Sequence, residues 1–485
     1  MADICYLQPE GAPREFVPPP RNGPPHTRPG YNFDGCTAEV VLTRMTVRNG
    51  RLVLPDGMSY RVLVLPDVET MTPALLRKVK ELIEAGATVV GGRAPRKSPS
   101  LTDYPACDAE VQQLTELWQG KIVTDKTAEQ LLAARGVKPD FAATAWLRYI
   151  HRVVGDVDVY FVSNPEPRTV EAVATFRVDG KQPELWRPDT GRIEPVAAFR
   201  QEAGCTRVPL RLDPSGSVFV VFRRPVGQFD PIVTATRDGQ SILPRSTDAG
   251  AISPTVAEVH ADTAGTLVLE TWQPGRYDLK TAGGKTLHAK AAGIPPPIGL
   301  TGPWEVTFPA GNGAPPQATF NKLLSWSEHA DRGIKYFSGT ATYRKTFNLP
   351  DEQPGKDHRV YLDLGEVAVM AEVNLNGRDL GILWKRPYRA DATDAIRSGK
   401  NVLEVKVVNL WANRLIGDEQ LPDDSPRADG QTLKQWPQWL LEGKSSPTGR
   451  YTFTSHRLWK KDDPLLPSGL LGPVTLQTTQ CVPVK

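Results

Sequence analysis

The sequence predicts a multidomain, mainly β protein. A small doubly wound α/β domain at residues 1–139 is followed by a β-sandwich region at 145–293 and a C-terminal jelly-roll at 298–485. Three observations carry that prediction. A β-α-β unit lies near the N-terminus, short alternating runs without intervening helices begin near Tyr149, and GIPPPIG separates two groups of those runs. At 485 residues the chain exceeds what one hydrophobic core organises, so about two to four domains are expected.

The α/β unit reads YRVLVLPDVETMTPALLRKVKELIEAGATVVGG. YRVLVLP is the continuous apolar run of a strand buried on both faces. Thr72 then caps a helix with Pro73 at its first position, and Leu75, Leu76, Val79, Leu82 and Ile83 recur at helical spacing until Gly86 ends it. ATVVGG returns as a parallel strand, with a further strand at ICYL and a further helix at DAEVQQLTELWQG. Gly91-Gly92 stands where a phosphate loop would, but there is no GxGxxG and no GxxxxGK[ST], so a strand-ending turn is expected and the domain reads as a support.

DVDVYFVSN, EAVATFRVDG, PELWRPDTG, TRVPLRL and SVFVVFRRP supply the sandwich strands, and AGTLVLETWQPGRYDLKTAGGKTLHAK reads as a further hairpin set. The prolines of GIPPPIG cannot join a central sheet, so a new domain starts near Leu300. Beyond it ATYRKTFNL, HRVYLDLGEV, MAEVNLNGR and NVLEVKVVNLW alternate cleanly, and Asn376-Gly377 marks a type I′ hairpin. Together they make a jelly-roll.

Composition removes several functions. With 58 basic and 55 acidic residues and no Lys/Arg block, the net charge of +3 gives nucleic acid no surface to track. Cys5, Cys36, Cys107, Cys205 and Cys481 lie far apart without a CxxC pair, which fits neither a disulfide framework nor a zinc site. The N-terminus has no basic region followed by an apolar stretch, and no segment approaches the roughly 20 apolar residues of a membrane span, so no membrane association and, as written, a cytoplasmic chain are expected.

Two clusters are candidates for ligand contact. NLWANRLIGDEQLPDD gathers Trp411, Asn413, Arg414, Asp418 and Glu419, with Asp423 and Asp424 beyond. An indole meets the C–H face of a sugar while amide and carboxylate groups meet its hydroxyls. The competing reading is a hydrogen-bond network that pins a loop leaving a strand. Its carboxylates also suit calcium by type, but the EF-hand spacing is absent. Trp384, Lys385 and Arg386, followed by Pro387 and Tyr388, form either a platform for a sugar or a neighbouring domain, or surface cation–π decoration. No HExxH or GxSxG occurs, and SSPTGRYTFTSHRLW lacks a nucleophile elbow, which makes His456 structural.

The order of YFSGTATYRKTF, YLDLGEVAVMAEVNLNGRDLGILWKRPYRADATDAIRSGKNVLEVKVVNLWANRLIGDE and SGLLGPV resembles the sugar-binding, galactose-binding-like jelly-roll of glycoside hydrolase family 2. With RLVLPDGMSYRVLVLPDVETMTPALLRKVKELIEAGATVVGG, SPSLTDYPACDAEV, GDVDVYFVSN and GSVFVVFRRP upstream, the chain resembles the C-terminal part of a glycoside hydrolase family 106 α-L-rhamnosidase. The resemblance implies a carbohydrate partner, namely rhamnose-containing oligo- or polysaccharides, and relatives that are often periplasmic or secreted. It also implies a catalytic (β/α)8 barrel bearing a glutamate pair and a calcium ion. A barrel needs about 250 residues and eight β-α repeats, whereas two or three such units are legible here, all before residue 140. The barrel is therefore expected to lie outside this chain, either separately encoded or upstream of a mis-called start, with no catalytic residue and no cofactor assignable within it. The alternative is a free-standing carbohydrate-binding or scaffold protein without catalysis.

Overall fold

The computed structural model describes residues 1–11, 30–244, 256–261, 266–350, 355 and 357–485. At the N-terminal end Phe33–Cys36, Ile4–Leu7, Val62–Val64 and Val89–Val90 lie side by side in that order, all parallel, and Val123 adds a further parallel bridge to Val90. Ile4–Leu7, Val62–Val64 and Val89–Val90 are short and largely apolar because both faces are covered, whereas Phe33–Cys36, at the sheet edge, carries Asp34 and an exposed Gly35. The helix Pro73–Glu84 starts where Thr72 Oγ1 accepts a hydrogen bond from Leu75 N at 3.3 Å, and it buries Leu75, Leu76, Val79 and Leu82 against the sheet. Burial of those four side chains stabilises the packed state by on the order of 8 kcal/mol before chain entropy is counted. Ala106–Leu114 is the second expected helix.

This strand order places the switch point, where such folds bind ligands, between Ile4–Leu7 and Val62–Val64. The chain fills the neighbourhood of that crevice with its own carboxylates. Glu10 accepts hydrogen bonds from Thr72 N at 2.7 Å and Thr72 Oγ1 at 2.8 Å, at the helix start where an anion would sit. Asp67 Oδ1 accepts from Arg93 N at 3.0 Å, and a Cβ on Gly92 would stand 3.2 Å from the Asp67 carboxyl carbon. Gly91-Gly92 is thus a strand-ending turn closed by Asp67.

The next unit is a two-sheet sandwich. One sheet runs Ile193–Pro195, Lys181–Trp186, Ser217–Pro225, Val157–Ser163, Arg148–Val154; the other runs Arg200–Glu202, Cys205–Leu212, Val170–Phe176, Phe141–Ala143. Alternation is strict in Val170–Phe176, where residues 170, 172, 174 and 176 are buried, and Tyr160, Phe176 and Phe222 interlock in the core. A polar joint ties this sandwich to the α/β sheet. Asp3 meets Arg61 at 3.0 Å and Arg177 at 2.9 Å, and Arg177 reaches Asp140 at 3.5 Å. Asp140 in turn meets Nδ1 of the buried His151 at 3.0 Å, and Asp158 meets its Nε2 at 3.2 Å.

The run expected as one hairpin set divides; its first residues, Ala264 and Gly265, lie outside those described. Gly275–Thr281 and Thr286–Ala291 join Ile232–Arg237 and Gln240–Ser241 in a small sheet. Leu267–Thr271 instead pairs with Thr475–Pro483, close to the C-terminus. The long Thr475–Pro483 strand offers an edge that local pairing cannot anticipate, and Glu270, buried there, finds partners in that sheet: its Oε1 accepts from Tyr361 Oη and Thr479 Oγ1, each at 2.8 Å.

The C-terminal sandwich stacks this sheet, which continues through His358–Asp363 and Arg389–Asp391, on another. That second sheet runs Gln317–Phe320, Trp304–Thr307, Thr340–Leu349, Gly399–Val408, Met370–Leu375, Arg378–Leu383. Its core holds Trp304, Trp326, Phe337 and Tyr343. Asn376 and Gly377 have φ of 57° and 84°, both positive as a type I′ turn requires, and Leu375 pairs with Arg378 across them. SGLLGPV forms a seam of this core. A Cβ on Gly469 (φ 97°) would lie 2.6 Å from Trp326 Nε1 and 2.7 Å from Tyr343 Oη, so only glycine fits there.

Candidate functional site

The strand Gly399–Val408 delivers the chain into the short helix Ala412–Asp418 and then into a long, mostly irregular lobe that ends at Ser468. Helical spacing puts Arg414 and Asp418 one turn apart, with Nε and Oδ1 at 3.2 Å, too poorly aligned for a hydrogen bond. Both are buried. Burial pushes the Arg414 pKa down from its ordinary value, and Asp418 opposes that by holding the charged form. The other Asp418 oxygen accepts from Tyr451 N at 3.0 Å, Thr452 N at 2.7 Å and Thr452 Oγ1 at 2.7 Å, so the carboxylate clamps an irregular segment more than thirty positions along the chain.

Asn413, also buried, donates to Leu466 O at 2.7 Å and Ser468 Oγ at 2.9 Å and accepts from Leu466 N at 2.8 Å. Glu419 Oε1 lies 2.8 Å from Arg450 Nη1 and 3.2 Å from Arg457 Nε; Asp423 Oδ1 lies 3.3 Å from Arg450 Nη2 and 2.6 Å from Arg457 Nη2. The Arg457 hydrogen bond holds Asp423 below the usual carboxylate range. Asn413, Arg414, Asp418 and Glu419 are therefore engaged by the protein itself, in the arrangement of the loop-pinning network. Trp411 differs from them. It stands at the helix start with its indole 74% exposed.

Arg450, Arg457 and Tyr451 were passed over by sequence reasoning, which inspected their segment only for a Ser-His pair. The available signal was charge matching: Arg427, Arg450 and Arg457 follow the acidic run Asp418, Glu419, Asp423, Asp424 within one lobe.

The other cluster lies elsewhere on the jelly-roll and divides by function. Lys385 Nζ reaches Asp189 at 2.9 Å and Asp213 at 3.3 Å, both in the preceding sandwich, so it faces a neighbouring domain. Arg386 pairs with Glu366, and Tyr388 Oη donates to Val369 O at 2.9 Å. Trp384 is 53% exposed beside them. Among the described residues no group of three or more His, Cys, Asp and Glu side chains is arranged to hold a metal ion. No helix among them is long and apolar enough to cross a membrane.

An α/β domain, a sandwich and an aromatic-bearing jelly-roll follow one another in this chain, and sequence comparison shows homology to glycoside hydrolases. Residues 1–201 match the glycoside hydrolase family 106 α-L-rhamnosidase model, and residues 327–438 match the glycosyl hydrolase 2 galactose-binding domain-like model. The chain thus resembles a family 106 α-L-rhamnosidase-like protein carrying a family 2-type galactose-binding-like domain. A solved rhamnosidase from Novosphingobium sp. PP1Y is 30% identical with a TM-score of 0.69, covering 99% of this chain and 39% of that one. A Formosa agariphila protein, provisionally named a β-glucuronidase, is 30% identical over 92% of this chain and 53% of its own. The chain therefore spans about half the length of that curated relative and less of the solved one.

Proposed function

We propose that this chain is the accessory region of an α-L-rhamnosidase-like glycoside hydrolase acting on rhamnose-containing glycans, and that bond cleavage belongs to a (β/α)8 barrel outside it. One observation carries the reading: 99% of the chain aligns with a solved rhamnosidase while accounting for only 39% of that protein. The geometry supports it. Glycoside hydrolysis needs two carboxyl groups flanking the bond, about 5 to 9.5 Å apart, and Asp418, Glu419 and Asp423 of the jelly-roll lobe are instead committed to guanidinium, amide and hydroxyl donors. The test is release of chromophore from an aryl α-L-rhamnoside. The chain alone is expected to match the buffer blank, and turnover by it would overturn the reading. Sequencing the DNA ahead of the first codon is a second check, with an in-frame barrel bearing paired glutamates expected.

A second reading, a free-standing carbohydrate-binding or scaffold protein, draws on the exposed indoles of Trp384 and Trp411. Calorimetric titration with rhamnose-containing oligosaccharides separates the two. Saturable heat without hydrolysis favours the second reading, and no heat at millimolar ligand removes it.

A further inference from the structure

We infer that the face formed by Leu410, Trp411, Tyr451 and Trp436 is the seat of a second folded domain, the catalytic part proposed above, and not a sugar platform. The inference rests on that accessory reading. The four side chains are 56%, 74%, 51% and 57% exposed. They are linked through the lobe: Trp411 starts the helix that carries Arg414, whose guanidinium sits 4.7 Å from the ring centre of Tyr451, and Phe453, two residues further on, meets Trp436 at 5.7 Å. A soluble protein seldom leaves so much linked aromatic surface to water unless something covers it.

Three features choose the occupant. Behind the face Asn413, Glu419, Asp423 and one oxygen of Asp418 are bonded within the lobe, and the other Asp418 oxygen and Arg414 Nε are buried, so these groups are not held out to sugar hydroxyls beside the aromatic rings. Basic and acidic residues between 410 and 468 balance one for one, which gives no net field to attract a charged polymer. More than half of the solved Novosphingobium rhamnosidase lies outside the match and has to pack somewhere, while the internal ties of the lobe hold this face ready for a rigid partner.

Carbene labelling read by mass spectrometry, which marks any exposed side chain, tests this on the 485-residue chain and on the intact Novosphingobium rhamnosidase. Residues 410, 411, 436 and 451 are expected to label strongly in the isolated chain, and the aligned positions of the intact enzyme several-fold less. Equal labelling overturns the inference. So does protection in the isolated chain that disappears on dilution, which would make a second copy the occupant, or protection on adding rhamnose oligosaccharide, which would make the face a sugar surface. The double variant W411Q/W436Q checks that the face is not structural: its thermal midpoint should equal that of the parent, and a large drop would count against a free face. Labelling reads burial and not hydrolysis, so failure of the rhamnoside substrate proposed above would leave a protected face standing, and equal labelling would remove the interface without touching the substrate.

Discussion

Lys385 Nζ lies 2.9 Å from Asp189 Oδ2, joining a loop of the C-terminal jelly-roll to a turn of the preceding sandwich. Asp213 adds a second carboxylate at 3.3 Å. The expected cost of Lys385→Met is about 1 kcal/mol, because the pair is only partly withdrawn from water. Thermal melts at low salt and in about 1 M salt check it: the difference from the parent should shrink at high salt, and an unchanged difference would mean that the lysine stem, not its charge, joins the domains.

Asn413→Ala removes two donated hydrogen bonds and one accepted one from a buried site, and leaves Leu466 N–H and O without that partner. A loss of about 2 to 3 kcal/mol is expected from urea unfolding. A variant as stable as the parent would free Asn413 for ligand contact.

Asp418→Ala strips a buried guanidinium of its counter-charge and frees Tyr451 N and Thr452 N. The single change is expected to cost about 3 to 5 kcal/mol, and the pair Arg414→Met/Asp418→Leu less than the two single losses added together. Additive losses in a double-mutant cycle would show that the two residues act separately.

His151 carries a pH dependence. Burial alone would lower its pKa, but the hydrogen bonds it donates to Asp140 and Asp158 outweigh that and raise it above the ordinary 6.5. The groups facing it are Asp140, Asp158 and Tyr160, with Arg177 and Lys181 bound to those carboxylates and the Met1 amine donating to His151 O. A raised folded pKa means the contribution is complete below 6.5 and is lost as pH rises through the folded value. Melts from pH 6 upward should therefore fall more steeply for the parent than for His151→Gln, and parallel curves would refute a charged His151.

Gly469→Ala forces a methyl group toward Trp326 Nε1 and Tyr343 Oη at a backbone angle that disfavours alanine. A loss of about 3 kcal/mol or more is expected in denaturant midpoints, and a loss under 1 kcal/mol would show that the two rings can yield.

Elements whose signal is local were readable in advance. The capped helix from Pro73, the alternation of Val170–Phe176 and the turn at Asn376-Gly377 each follow from a few neighbouring residues, because caps, pleats and positive φ are short-range demands. The candidate site was less legible. Trp411 and Asp418 look alike in sequence as sugar contacts, yet one faces water and the other is buried under Thr452. Burial at that site depends on a segment more than thirty residues away, and no local pattern encodes it.

The sequence by itself determined the element types, the mainly β class and the family resemblance, since these rest on periodicity and on long ordered motifs. Only the tertiary structure decided that Leu267–Thr271 completes the C-terminal sheet, that Lys385 ties two domains and that the acidic run of the lobe is neutralised from within. The physical reason is common to all three: strand edges and charges find partners by proximity in space, and proximity is set by the packing of whole sheets.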